Sequence, residues 1–200
     1  DALPICVEVL KKDGIDFLMG SAHFVSSKEV DVEGEKIIAK RIFICTGSSP
    51  MVPPIEGVHE ISYLTNENFF LQPKLPESMI VLGGGAIGVE LSQAMTRLGV
   101  KVQLVEMAPQ ILPREDAELS SLLRMRLENE GVEIYTGAKA VKFKSVDSKV
   151  ALHIEKEGTL KILESDKVLL ALGRVPNIKS LNLEAVGIDF DRRGIIVNAY

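Results

Sequence analysis

The residues best placed to do chemistry lie in SMIVLGGGAIGVE, where Gly83, Gly85 and Gly88 follow an apolar run and open a helical pattern. Each glycine in such a turn has its own task. Gly83 allows the sharp exit from a strand, Gly85 lets the backbone approach a pyrophosphate, and Gly88 lets the helix pack against the strand. The backbone N–H groups at the helix start, from Ala86 and Ile87 onward, and the positive end of the helix dipole then face the phosphates. The turn alone is weak evidence, but its position after a strand and before a helix is the context a dinucleotide site requires.

Glu106 sharpens this reading. It stands 18 positions after Gly88, at the end of the next apolar run, KVQLVE. A carboxylate there accepts hydrogen bonds from both ribose hydroxyls of an adenosine, and it repels a 2′-phosphate. Met107, Ala108 and Pro109 follow, so no cation is at hand for that phosphate. NAD is therefore favoured over NADP. Two further positions stay open on residue grounds. Gly173 ends the apolar strand KVLLALG, where it either lets a cofactor approach or simply turns the chain. Glu90, on the helix just past the turn, reads first as a surface ion-pair partner on residue grounds alone.

These residues need a parallel sheet to hold them. From residue 78 the chain alternates strand, helix (86–98), strand, helix (116–130), strand, a βαβαβ pattern with right-handed crossovers. The first helix carries Ile87, Leu91, Ala94, Met95 and Leu98 on one face, and Gly99 ends it. The second carries Leu119, Leu122, Leu123 and Leu127, with Asp116 and Glu118 at its start and Gly131 at its end. The pattern then changes to AVKFKSV, KVALHIEKE and TLKILE, a three-stranded antiparallel meander with one wet face.

The first 50 residues read as a helix over 3–10 ending at Gly14, followed by β segments. These are IDFLMG, HFVSS and EVDVEGEKIIAKRIFIC, with a hairpin at VEGE and a continuous apolar strand over 42–45. The Pro-rich stretch 50–77 reads as a connector with a boundary near Lys74. The expected organisation is 1–74, a partial first domain with its connector; 75–194, the dinucleotide domain; and 195–200, the start of a return.

Composition sets the outer limits. With 200 residues, a net charge of −5 and 46% hydrophobic residues, the chain reads as an ordinary globular protein without an overall basic face for nucleic acid. No apolar run approaches the roughly 18 residues of a membrane span. Cys6 and Cys45 form no close pair, which suits a reducing cytoplasm and two buried thiols. The opening DALPIC, without a Met or a leader, reads as an excised or processed chain.

Four segments in order, CTGSSPMVPPIEG, IVLGGGAIGVE, VEMAPQILPRED and LLALGRVPN, resemble the flavin-dependent pyridine nucleotide-disulfide oxidoreductases, lipoamide dehydrogenases and mercuric reductases in particular. The resemblance covers nearly the whole chain. It implies NAD-binding roles for Gly83, Gly85, Gly88 and Glu106, and places Glu90 and Gly173 beside the nicotinamide. Thr46 and Gly47 match a segment near the nucleotide part of FAD, with Cys45 where the family usually has Ala.

The fold implied is α/β: a Rossmann-like parallel sheet with its meander, plus an incomplete, mainly β part of a second nucleotide-binding domain. The family's FAD-binding GxGxxG, its redox CxxxxC pair and its C-terminal dimerisation domain are not seen in these residues, and His23, His59 and His153 match no family position. The expectation is thus the NAD half of an enzyme that passes a hydride between NAD(H) and FAD, coupled in the intact protein to disulfide, lipoamide or metal-ion reduction. The intact protein would be a homodimer through its C-terminal domain, without nucleic-acid or membrane partners, and the fragment alone would be inactive. Two alternatives stay open: a non-catalytic dinucleotide sensor, and an NADH dehydrogenase-type flavoprotein without a redox disulfide.

Overall fold

The computed structural model describes residues 3–198, and the chain divides into two compact units, Pro50–Arg174 and the remainder. In the remainder, α1 (Leu3–Lys12) ends where Gly14, at φ +74°, lets Ile15 N donate to Leu10 O at 2.9 Å. Strands β1 (Ala22–Ser26), β2 (Glu29–Val32) and β3 (Glu35–Ile38) form an antiparallel sheet. Glu33 and Gly34 close the β2–β3 hairpin with φ of +52° and +92°, the left-handed pair that a two-residue turn needs. Phe24, Leu181 and Leu183 are the buried centre of this unit.

Two expected strands are missing here. IDFLMG is irregular, and the run 42–45 forms no ladder. Ile42 and Ile44 pack against the cluster around Phe24, while Phe43 faces outward, 83% exposed, so the run is covered on one face only. Cys45 is also exposed, contrary to the expectation of a buried thiol, while the side chain of Cys6 lies outside the described residues.

The second unit is entered from β4 (Ser48–Pro50). Its parallel sheet contains β5 (Tyr63–Leu64), β6 (Ser78–Leu82), β7 (Lys101–Glu106), β8 (Glu133–Thr136) and β12 (Lys167–Leu170), in the order β5-β12-β6-β7-β8. Helices α2 (Ala86–Arg97) and α3 (Ala117–Glu130) connect β6 to β7 and β7 to β8. Between β8 and β12 runs the expected antiparallel meander of β9 (Lys139–Val146), β10 (Lys149–Lys156) and β11 (Thr159–Ser165).

Side chains alternate across each parallel strand, so neighbouring residues serve opposite layers. Ile80, Leu82, Val105, Val168 and Leu170 pack with Phe143, Leu152 and Leu163 of the meander. Met79, Val81, Leu104 and Leu169 pack with Val89 and Met95 of α2 and Leu127 of α3. Cover on both faces explains why these strands read as unbroken apolar runs.

Three expectations change in this unit. The stretch 50–74 is more than a connector: Val58 and Ile61 enter the meander-side core, Leu64 and Phe69 the helix-side core, and β5 adds an edge strand. At the other end, residues from Val175 on belong with the first unit, because Leu181 and Leu183 bury against Phe24 there. The two compact units divide at 49/50 and 174/175. Finally, α3 packs through Ser120, Leu123 and Leu127, while Leu119 and Leu122 are 65% and 53% exposed. Its inward face is partly polar: Ser120 Oγ donates to Ile111 O at 2.6 Å and Arg124 to Thr136 Oγ1 at 2.9 Å. Counting leucines alone therefore selects the wrong stripe.

Candidate functional site

The strands β12, β6 and β7 end side by side, and α2 leaves from the middle one. In an open parallel sheet this is where the connections diverge and a crevice forms. Gly83 follows β6 at φ +112°, and a Cβ on it would lie 2.4 Å from Ala171 O, on the end of β12. A Cβ on Gly88 would lie 1.9 Å from Gly83 O. Both positions are closed to side chains by backbone. Gly85 is the opposite case: a Cβ there meets nothing within 4 Å, so the absent side chain leaves open space at the helix start.

The two helices of this unit begin differently. Asp116 caps α3, its carboxylate accepting from Glu118 N at 2.9 Å and Leu119 N at 3.3 Å. α2 begins at Gly85 with no side-chain cap. Its first N–H groups have no partner within the helix, so an anion is their natural complement.

Glu106 is the charged group at this turn. Gly84 N donates to its Oε2 at 2.6 Å and Ala108 N to its Oε1 at 2.7 Å. The carboxylate is half-buried and fixed by two charge-assisted bonds, each contributing about 1.5–3 kcal/mol. The loop after β7 is also tied to the turn, with Leu112 N donating to Gly84 O at 2.7 Å. The motif treats Gly84 as a spacer, yet a Cβ on it would approach Glu106 Cβ and Cγ to 3.0 and 3.1 Å. The available signal is that Gly84 is the middle of three consecutive glycines, a position the GxGxxG pattern leaves unspecified.

The remaining expected residues sort by unit. Ala86 and Glu90 are exposed on α2, Ile87 is half-buried, and all belong with the turn. Gly173 lies beyond β12 at φ +114° with open space at its Cβ position, and its carbonyl accepts from Met51 N at 3.0 Å. Next to it, Arg174 donates to Asn66 Oδ1 at 3.1 Å.

Thr46 and Gly47 belong to the first unit. There Asn177, which ends the LLALGRVPN segment but has no role implied by it, donates through Nδ2 to Thr46 O and through its backbone N to Gly47 O, both at 3.0 Å. Among the described residues no group of three or more His, Cys, Asp or Glu could hold a metal ion, and no helix is long and apolar enough to cross a membrane.

A glycine cradle and a backbone-held carboxylate at the ends of a parallel sheet are the marks of a dinucleotide-binding fold. Residues 5–200 match the pyridine nucleotide-disulphide oxidoreductase family, and the chain belongs to that family. It is 38% identical to a dihydrolipoyl dehydrogenase of Thermus scotoductus, over 96% of this chain and 42% of that protein. It is 32% identical to a mercuric reductase of Staphylococcus aureus, over 97% of this chain and 36% of that protein. A solved structure, the HOCl-induced flavoprotein disulfide reductase RclA from Escherichia coli, superposes with a TM-score of 0.82 at 31% identity. The match covers 92% of this chain and 42% of that one. The chain thus spans well under half the length of these three proteins, all of them named as oxidoreductases.

Proposed function

We propose that Pro50–Arg174 binds NAD(H) and serves as the nicotinamide half of a flavin-dependent oxidoreductase. The observation that carries this reading is the fixed carboxylate of Glu106. A carboxylate offers about four lone-pair positions, and the two backbone N–H groups use only two of them. The other two are free for the 2′- and 3′-hydroxyls of the adenosine ribose. A 2′-phosphate would bring like charges together at a cost of several kcal/mol.

The uncapped start of α2 holds the pyrophosphate, and the open space at Gly85 gives it room. Gly173 leaves space for the nicotinamide ring, with Glu90 on the helix side. In the other unit, Thr46 and Gly47 contribute backbone to the nucleotide part of FAD. When both cofactors are bound, the nicotinamide supplies a hydride to the flavin, and the flavin passes electrons to a disulfide, lipoamide or a metal ion. This chain's own residues bind and orient; none of those assigned here acts as a nucleophile or acid–base group. The chain alone is expected to bind NADH weakly and to turn over no disulfide. In the intact protein we place it as a cytoplasmic homodimer joined by a further domain.

Calorimetric titration with NADH and NADPH tests the reading. NADH should bind at least about tenfold more tightly, the equivalent of about 1.4 kcal/mol. Glu106→Gln should weaken NADH and erase most of the preference. Equal affinity of the unaltered chain for the two coenzymes would overturn the role given to Glu106.

A further inference from the structure

The glycine-rich turn occupies one end of the parallel sheet, and the opposite end, where β6 begins and α2 finishes, is less completely packed. The apolar stripe of α2 runs through Leu91, Ala94, Met95 and Leu98, but only Met95 is buried. Leu98 is 61% exposed. The stripe extends beyond the core, and the loop of residues 70–76 bridges it without filling the space beneath. The result is a cavity of about 330 Å³ within this unit.

Leu64, Phe69, Met79 and Met95 line it from the core side, while Phe70 and Leu75 stand at its rim, 77% and 55% exposed. One cation borders it. Lys74 is exposed and forms no salt bridge among the described residues. Of the carboxylates in the neighbouring hollow, Glu77 and Asp166, the latter is committed to Ser78 through its N and Oγ, both at 2.9 Å.

We propose that this cavity binds a small anionic amphiphile, with an alkyl or aryl chain between Met79 and Met95 and a carboxylate or sulfonate head on Lys74. The volume lies at the lower end of the roughly 300–1,000 Å³ of small-molecule sites, which are mostly apolar with few polar anchors. Two methionines give walls that adapt to chains of different shape. A sugar or nucleotide would bury more hydroxyls than Gln72 and Lys74, the polar side chains of the lining, can pair. The single cation at the rim selects a negative head. The site is separate from the dinucleotide turn and does not depend on the function proposed for it.

The test uses the chain with ¹³C-labelled methionine methyl groups, titrated with decanoate and with decanol, each below its aggregation concentration. Decanoate should shift the Met79 and Met95 signals saturably and leave those of the exposed Met107 and Met125 in place. Lys74→Ala should weaken decanoate about fivefold, the upper range for an exposed charge pair, and leave decanol unchanged. Ala94→Phe, at an exposed helix position facing the cavity, should abolish binding of both while keeping the unfolding temperature and NADH affinity of the parent. The proposal is overturned if no saturable shift occurs, if Lys74→Ala leaves decanoate affinity intact, or if folded Ala94→Phe still binds. It is likewise overturned if the Met79 and Met95 signals move with protein concentration alone, which would assign the cavity to self-association.

Discussion

Pro50–Arg174 and the rest of the chain contain apolar runs of similar strength, but full burial is reached in the parallel-sheet strands of the first. In β12 the residues Val168, Leu169 and Leu170 are at most 2% exposed, whereas Phe43, in a run just as apolar, is 83% exposed. Ile38 and Val197 of the same unit are 79% and 81% exposed. An apolar run thus specifies a demand for cover, while a strand also needs a neighbour with free backbone groups. β12 has β5 on one side and β6 on the other, whereas the run 42–45 pairs with no strand among the described residues and is covered only on the face of Ile42 and Ile44.

The sharpest way to probe the contrast is Gly83→Val. The change places a β-branched side chain at φ +112° with its Cβ against Ala171 O. It should cost at least about 3 kcal/mol in urea denaturation and abolish NADH binding. Next is a paired comparison of two apolar truncations. Leu104→Ala, at a fully buried site, should cost about 2–5 kcal/mol, and Phe43→Ala less than about 0.5 kcal/mol. If the two losses were equal, the difference between the units would be one of exposure only and not of stability.

A third effect depends on pH. Arg97 first, with Arg126 and Gln93, holds the carboxyl of Glu130 down from its usual 4.5 to about 2, and so ties α3 to α2. A depressed value means that the folded state prefers the ionised form. The contribution is therefore complete above about pH 4.5 and is lost as pH falls toward 2. Glu130→Gln should unfold more easily than the parent at pH 7, and the two denaturation midpoints should converge near pH 2. The smallest expected change is Ser92→Ala. The Ser92 hydroxyl is buried in α2 with no hydrogen-bond partner among the described residues, so its removal should be neutral or stabilising by up to about 1 kcal/mol in the same assay.

The fold of Pro50–Arg174 is legible in the sequence because its period switches are sharp. MIVLG, the helical spacing after Ala86, KVQLVE and the alternating meander each carry one dominant periodicity, and the fold follows them. Legibility fails where packing is partly polar or partners are distant. The inward face of α3 includes Ser120 and Arg124, which a count of leucines does not see. The stretch 50–74 looks loose because of its prolines, yet Val58 is 1% exposed. At the site, the glycine positions and Glu106 are readable from spacing. The N–H groups of Gly84 and Ala108 that fix Glu106 are not, because backbone donors leave no trace in residue identity. Asn177 lies inside the LLALGRVPN segment, but its contact is not readable there, because its partner Thr46 lies 131 positions away.

One contact bears on how such a chain can change over time. Met51 N donates to Gly173 O at 3.0 Å, so the stretch Pro50–Arg174 begins and ends at nearly the same point. A unit whose two ends meet can be lifted out or exchanged as a cassette, because the flanking chain need bridge only a short gap. Under the function proposed above, the coenzyme site then travels with one continuous stretch of sequence.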